Sequence, residues 1–385
     1  MAFLPGLALA SATRVGFQDA FATERGNAFV ATADNPSAVY YNPAGLIQLD
    51  GARLEGNLYS VAASSDYTGV GGSTSMKDDR LSIPAFYTTW KAQGSPLAYG
   101  LGVYAPYGLS TEWPANSPLR TFALRNTQTY RTYNFSVAWQ ISPDVSAGLG
   151  VTYNRATTDL NRAIGIFGPN DLFRFAGSGS AIGFDLGLLW KVNAQNSLGL
   201  SYTHHTTINF KGTSSTIPVI PSEAASAEFE FPENVIVGWS YRPNPQWNIE
   251  ADADWTNWNR LGTVVIHRTS GDTVLPFNWQ AGWFYELGAT RYFDNGWHVG
   301  AGYCYTQNST PDSTYTPAVP DSNRAFYSLG FGYHNGFMSA DLAWQYGDGG
   351  TRHVSGSAAS LIGATADGSY KNSLNAVSLS LGFQF

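Results

Sequence analysis

The sequence predicts an all-β protein, a 14-stranded antiparallel transmembrane β-barrel with an N-terminal hatch in its lumen. Three observations carry that prediction. Only 13% of the 385 residues are charged, while aromatic residues reach 15% and glycine occupies 41 positions. A soluble surface so poor in charge would be a solubility hazard. No uninterrupted apolar run of about 18 residues exists, which excludes helical membrane spans. Finally, segments of strict apolar–polar alternation are joined by connections that are alternately short and long, the pattern of an outer-membrane barrel.

The alternation is clearest in three places. Tyr133, Phe135, Val137, Trp139 and Ile141 are apolar, with Asn134, Ser136 and Gln140 between them. Val145, Ala147, Leu149, Val151 and Tyr153 repeat the pattern, as do Trp247, Ile249, Ala251, Ala253 and Trp255. A period of two gives each strand one apolar and one polar face. Tight turns are expected at Gly94-Ser95-Pro96, Ser142-Pro143-Asp144, Asn193 to Asn196, Pro243-Asn244-Pro245, Asp294-Asn295-Gly296 and His334-Asn335-Gly336. Longer stretches fall near 68–78, 108–125, 163–179, 212–224, 268–277, 308–322 and 347–369. Six turns and seven loops imply fourteen strands, and an even number suits a closed barrel. Val377, Leu379, Leu381, Phe383 and the terminal Phe385 read as the closing strand.

The chain divides into three parts. Residues 1–12, MAFLPGLALASA, resemble the end of a secretory signal, although the basic leader is missing. Residues 13–51 are rich in Ala, Asn, Pro and Gly and too few for an independent core, so they are expected to plug the lumen as a hatch. Residues 52–385 form the barrel. Fourteen strands enclose more space than side chains can fill.

Function classes narrow on the same grounds. A net charge of −7 with no basic run excludes nucleic acid as a partner. One cysteine, Cys304, excludes disulfide frameworks and Cys-based zinc sites. The six histidines show no metal-ligand spacing, and adjacent His204 and His205 are expected on opposite faces of a strand. No GxSxG elbow or P-loop is present, so no enzyme, cofactor or metal is expected. Glu228, Glu230, Glu250, Asp252 and Asp254 alternate with apolar residues expected to face lipid, which turns the acids inward. Arg14 and Arg25 of the hatch are their candidate partners, and plain hydration of the lumen is the other reading. The stretch Ile164 to Phe167 with Leu172, Phe173 and Phe175 is unusually apolar for an outer loop; it reads as a ligand-landing groove or as a self-packed loop. Pro106 interrupts an otherwise regular third strand, two residues before Gly108. Lacking an N–H, it implies either a rim bulge or an inward kink beside a gap in the wall.

These residues resemble the FadL-type outer-membrane transporters of long-chain fatty acids and other hydrophobic compounds. The resemblance rests on Gly16-Phe17-Gln18, Gly26, the Asn42-Pro43-Ala44 hatch motif, Tyr107 to Glu112, Ser270 to Thr273, Leu287-Gly288, Asp294-Asn295 and Val319 to Arg324, in family order along the whole chain. It implies a monomeric barrel in the bacterial outer membrane, partnered by lipid and a hydrophobic small molecule. It also implies a lateral exit at the kinked third strand and ligand contacts at Phe17, Arg162, Phe167, Leu172, Phe173 and Phe175. A second basic ligand position of the family falls on Gln280, which leaves room for neutral ligands. A water-filled porin and a structural or adhesive barrel are the alternatives.

Overall fold

The computed structural model describes residues 12–385. The signal-like reading of residues 1–12 therefore lies, Ala12 aside, outside the described residues. Fourteen antiparallel strands close into a barrel. They are β1 (Gly51–Gly69), β2 (Gly72–Ser75 and Asp79–Lys91), β3 (Leu97–Tyr104 and Gly108–Glu112), β4 (Arg125–Gln140), β5 (Val145–Arg162), β6 (Leu172–Lys191) and β7 (Asn196–Thr203 and Thr206–Ile217). The second half comprises β8 (Ile220–Phe231 and Asn234–Asn244), β9 (Trp247–Thr256 and Thr263–Arg268), β10 (Thr273–Pro276 and Gly282–Tyr292), β11 (Trp297–Thr306), β12 (Arg324–His334), β13 (Met338–Val354) and β14 (Gly368–Gln384). β14 pairs with β1 from Arg53 opposite Gln384 to Thr68 opposite Ser369, so closure leaves no free edge there.

The two faces separate as a membrane demands. Leu58, Phe86, Leu101, Phe135, Leu149, Val151, Leu200, Leu329 and Leu379 are exposed outward, where lipid rather than water meets them. Trp90, Trp139, Trp190, Trp247 and Trp297, all exposed, sit beside the short turns and form an aromatic girdle at that end. Inward positions are polar and buried: Asn134, Ser136, Thr152, Asn154, Asp185, Glu250, Asp252, Asp254, Gln345 and Ser380.

The six short turns stand where the sequence places them, but several expected loops are shorter. Stretches 68–78 and 212–224 are mostly ladder, since β1 reaches Gly69 and β7 reaches Ile217 before β8 starts at Ile220. The strands continue past the band of outward apolar residues, where polar residues can stay in strand because the outer face meets water and the interior is apolar. The same continuation corrects the reading of Glu228 and Glu230. There Phe229 and Phe231 are buried inside, while Glu228 is exposed and Glu230 only half-buried. Above the membrane the interior holds an apolar cluster, so the faces reverse. The two halves of β8 meet at Pro232 and Glu233, where the alternation is reset.

Residues 12–50 pack against inward-facing residues of the strands. Helix α1 (Ala20–Glu24) packs against β11 to β14, and α2 (Ala38–Tyr41) leads into a 3-10 turn, Pro43–Gln48, against β3 to β6. Asp19 caps α1 by accepting from the Ala22 N–H at 3.1 Å. Almost every residue of this segment is buried.

Candidate functional site

A cavity of about 350 Å³ opens on the loop side of the barrel. Leu109, Phe122, Leu160, Phe173, Phe229, Leu275, Phe277, Trp279, Tyr315 and Val319 line it, drawn from β3, β5, β6, β8, β10 and three loops. Beneath it Phe175, Phe210, Ile208 and Phe231 continue the apolar packing. Arg162 is the cationic side chain on its wall. The Arg162 guanidinium carbon lies 5.2 Å from the Phe173 ring centroid, and that of Arg268 lies 5.4 Å from the same ring. Arg268 is already committed to Glu223 at 3.6 Å and Thr216 at 3.0 Å. The Arg162 side chain has no ion pair or hydrogen bond among the described residues. An apolar cavity with one uncommitted guanidinium can hold a hydrocarbon and orient an anionic headgroup.

The loop beside this cavity is fixed by Asp171, whose carboxylate accepts from the backbone N–H groups of Ile164 (3.1 Å), Gly165 (2.7 Å) and Phe167 (3.0 Å). Burial pushes the Asp171 carboxyl up, but these donors outweigh it and hold its pKa below the usual carboxylate value.

The wall is interrupted at β3. The β2–β3 ladder ends where Phe86 faces Val103, and Gly108–Glu112 pairs only with β4. Residues 79–85 of β2 pair with β1 but not with β3. At the outer end the Lys77 N–H donates to the Glu112 carbonyl at 2.8 Å. The result is a window bounded by Phe86–Val103 and Lys77–Glu112. It contains a cavity of about 40 Å³ lined by Ile83, Pro84, Val103, Ala105, Tyr107 and Gly108, among others. The backbone groups freed there find partners on the N-terminal segment. Val15 N–H donates to Pro106 O at 2.8 Å and Gly108 N–H to Thr13 O at 2.8 Å. The Gln18 side chain donates to Ala105 O at 2.9 Å and accepts from Ala105 N at 3.3 Å. Proline at 106 has no donor to orphan. Leu109 lines the large cavity and Gly108 lines the window, so consecutive residues separate the two.

Inward acids of β9 and β10 grip the same segment. Arg14 Nη2 lies 2.6 Å from Asp254 Oδ2, and Arg25 Nη2 lies 3.4 Å from Glu250 Oε2, all four groups buried. Asp252 accepts the Phe29 and Val30 N–H groups at 2.8 and 3.0 Å, and Glu250 accepts the Ala31 N–H at 2.7 Å. Glu286 accepts from Asn27 at 2.8 Å. Four acids thus face two arginines, the Asn27 amide and a row of backbone N–H groups, while Asp252 Oδ1 and Asp254 Oδ1 have no hydrogen bond among the described residues. At the far side Asn42 Oδ1 accepts from Ala44 N at 3.1 Å, and Asn42 Nδ2 donates to Val30 O (2.8 Å) and to Leu188 O of β6 (3.1 Å). Ser146 donates to Ala44 O at 3.0 Å. This close seat needs glycine in the wall. A Cβ on Gly148 would stand 2.4 Å from the Pro43 carbonyl carbon, and one on Gly187 would stand 2.2 Å from Asn42 Oδ1.

Of the residues singled out in the sequence, Arg162 and Phe173 share the large cavity, and Phe175 is buried beneath it. Leu172, half-buried, begins β6 without lining the cavity, and Phe167 is 48% exposed on the loop. Phe17 is buried elsewhere, stacked on Tyr59 at 5.7 Å and close to Phe326. Gln280 is exposed beside β10 and is not part of the cavity. His204 and His205 do not take opposite faces. β7 breaks at this pair, and their ring centroids are 4.1 Å apart beside Glu233. Sequence reasoning missed Phe229, Phe277, Trp279 and Tyr315, because the period-two pattern does not say which face is inward above the membrane.

The fold and these features define an outer-membrane β-barrel whose inward-facing acids contact its own N-terminal segment. The chain belongs to the outer membrane protein transport protein family (OMPP1/FadL/TodX), whose signature matches residues 1–385. It is 23% identical over 370 residues to the long-chain fatty acid transport protein of Escherichia coli K12, covering 82% of each chain. Among solved structures it is similar to a Pseudomonas aeruginosa FadL homologue, with a TM-score of 0.87, 20% identity and coverage of 97% of this chain and 100% of that one. It is also similar to the Pseudomonas putida toluene transporter TodX, with a TM-score of 0.77, 19% identity and coverage of 95% and 98%.

Proposed function

We propose that this protein takes up hydrophobic small molecules passively across the outer membrane, from the large cavity to the window in β3. The observation that carries the reading is the adjacency of an apolar cavity and a break in the wall ladder, one residue apart at Leu109 and Gly108. A ligand that buries about 200 Å² of apolar surface in the cavity gains roughly 5 kcal/mol. Passage straight down into water would forfeit that gain, whereas a side exit into lipid keeps it. Relatives named for fatty acid and for toluene transport support both ligand classes.

In this reading residues 13–51 are the hatch. Asn42-Pro43-Ala44 seats it on β5 and β6, and Arg14, Arg25, Glu250, Asp252 and Asp254 anchor it to β9. Thr13, Val15 and Gln18 satisfy the β3 kink only while the hatch is in place, so hatch movement and window shape are coupled. Each chain closes its own ladder and needs no partner to complete the barrel, which supports a monomer. Extending the β2–β3 register places Pro84 opposite Ala105. A disulfide in Pro84→Cys/Ala105→Cys should lower uptake of radiolabelled oleate or toluene, and reductant should restore it. Normal uptake through the oxidised protein would refute the lateral route.

A further inference from the structure

We propose that Glu24, His298, His334 and Asp341 form a binding site for a divalent transition cation of the Zn²⁺ class, tying α1 to the barrel wall near the short-turn end. No family motif marks this site; it is assembled from α1 and three neighbouring strands. His298 Nε2 lies 3.3 Å from Glu24 Oε1 and 3.3 Å from Asp341 Oδ1. His334 Nε2 lies 2.8 Å from the same Asp341 oxygen. Ligand atoms at about 2.0 Å from a tetrahedral Zn²⁺ stand roughly 3.3 Å apart, so two of these edges already have the spacing a bound ion requires. Two imidazoles and two carboxylates are also a donor set that suits zinc better than Mg²⁺ or Ca²⁺, which prefer oxygen alone.

The groups are otherwise hard to account for. Glu24 and His298 are 0% and 1% exposed, yet among the described residues neither oxygen of Glu24 nor Nε2 of His298 has a hydrogen bond. Buried polar groups without partners call for a cause. The neighbouring cation, Arg25, is engaged by Glu250 instead. The Phe21 ring packs edge-on against the His298 ring at 5.1 Å. An entry path exists. A cavity of about 160 Å³ between Phe21, Asp34, Tyr292, Asn335 and Phe337 reaches His334, whose side chain is 36% exposed. The second histidine cluster, His204 and His205 with Glu233, differs because Glu233 is already held by Arg260 at 3.1 Å and Asn257 at 2.7 Å.

The test uses the full chain in detergent, stripped with chelator, then titrated with ZnCl₂ by calorimetry and checked by elemental analysis. The expected result is one Zn²⁺ per chain, with X-ray absorption showing only nitrogen and oxygen ligands. His334→Ala and Asp341→Asn should each weaken binding at least about tenfold, whereas His204→Gln should leave it unchanged. A heat-modifiability gel verifies that each variant is folded, and the half-exposed His334 is the substitution least able to disturb the barrel. Zinc content near zero after reloading would overturn the proposal, and so would wild-type affinity in folded His334→Ala.

Discussion

Removing the Arg14 guanidinium is the most informative single perturbation of the hatch. Arg14 and Asp254 are 4% and 0% exposed and 2.6 Å apart, so Arg14→Met strands a buried carboxylate. Breaking one partner of such a pair costs about 3–5 kcal/mol, equivalent to two to three and a half decades in an equilibrium constant. Part of that cost disappears when the hatch lifts and Asp254 is hydrated, so hatch opening is favoured by up to the same factor. The contacts of Asp252, Glu250 and Asn42 remain, and they keep the closed state dominant. Planar-bilayer recording should therefore show brief openings that are far more frequent in Arg14→Met than in wild type, without a permanent pore. Replacing both partners, in Arg14→Met/Asp254→Leu, removes the stranded charge and should return the opening frequency most of the way. If Arg14→Met opens no more often than wild type while the barrel remains heat-modifiable, the anchoring argument is wrong.

Other consequences follow from the same geometry. Arg162→Ala should weaken oleate binding about ten- to a hundredfold through loss of a charge-assisted hydrogen bond, and leave toluene binding nearly unchanged; equal effects on both ligands would deny the guanidinium a headgroup role. Asn42→Ala removes the bonds to Val30, Leu188 and Ala44 and should slow uptake in whole cells while gel heat-modifiability persists; loss of the folded barrel would assign the motif to stability instead. Acidification should loosen the loop held by Asp171. Its pKa is depressed in the folded protein, so its stabilisation is complete above the unfolded value of about 3.9 and fades as pH falls through the lower folded value. Limited proteolysis of residues 163–171 should accelerate only below about pH 4, and a rise already at pH 6 would point to another group.

The barrel was legible because a membrane imposes two solvents on every strand. Period-two patterns such as Tyr133 to Ile141 and turn clusters such as Asp294-Asn295-Gly296 state the strand count directly. The face assignment held at Glu250, Asp252 and Asp254, which are buried inside, and failed at Glu228 and Glu230. Beyond the bilayer the outside is water and the inside is apolar, so the same alternation has the opposite meaning. Pro106 carried a local signal that composition preserves: no N–H, in a strand that should be bonded on both sides. What replaces the ladder there, Thr13, Val15 and Gln18, leaves no trace in sequence because the partners are mostly backbone atoms from a distant segment. The same holds for the carboxylates that accept N–H groups of Phe29 to Ala31. His298, His334 and Asp341 were invisible for a related reason. His334 and Asp341 stand seven residues apart across a turn, but only the register of β11, β12 and β13 brings His298 to them.

Uptake by cells that lack their own hydrophobic-compound transporter tests the central claim most directly. The chain is expressed in such cells, and entry of radiolabelled oleate and of toluene is timed beside an empty-vector control and the oxidised Pro84→Cys/Ala105→Cys protein. Faster entry of at least one ligand with the wild-type chain, returning to the control rate when the window is closed, is the predicted result. Entry no faster than the control, together with steady ion conductance of the purified protein, would contradict the account and identify a water-filled pore.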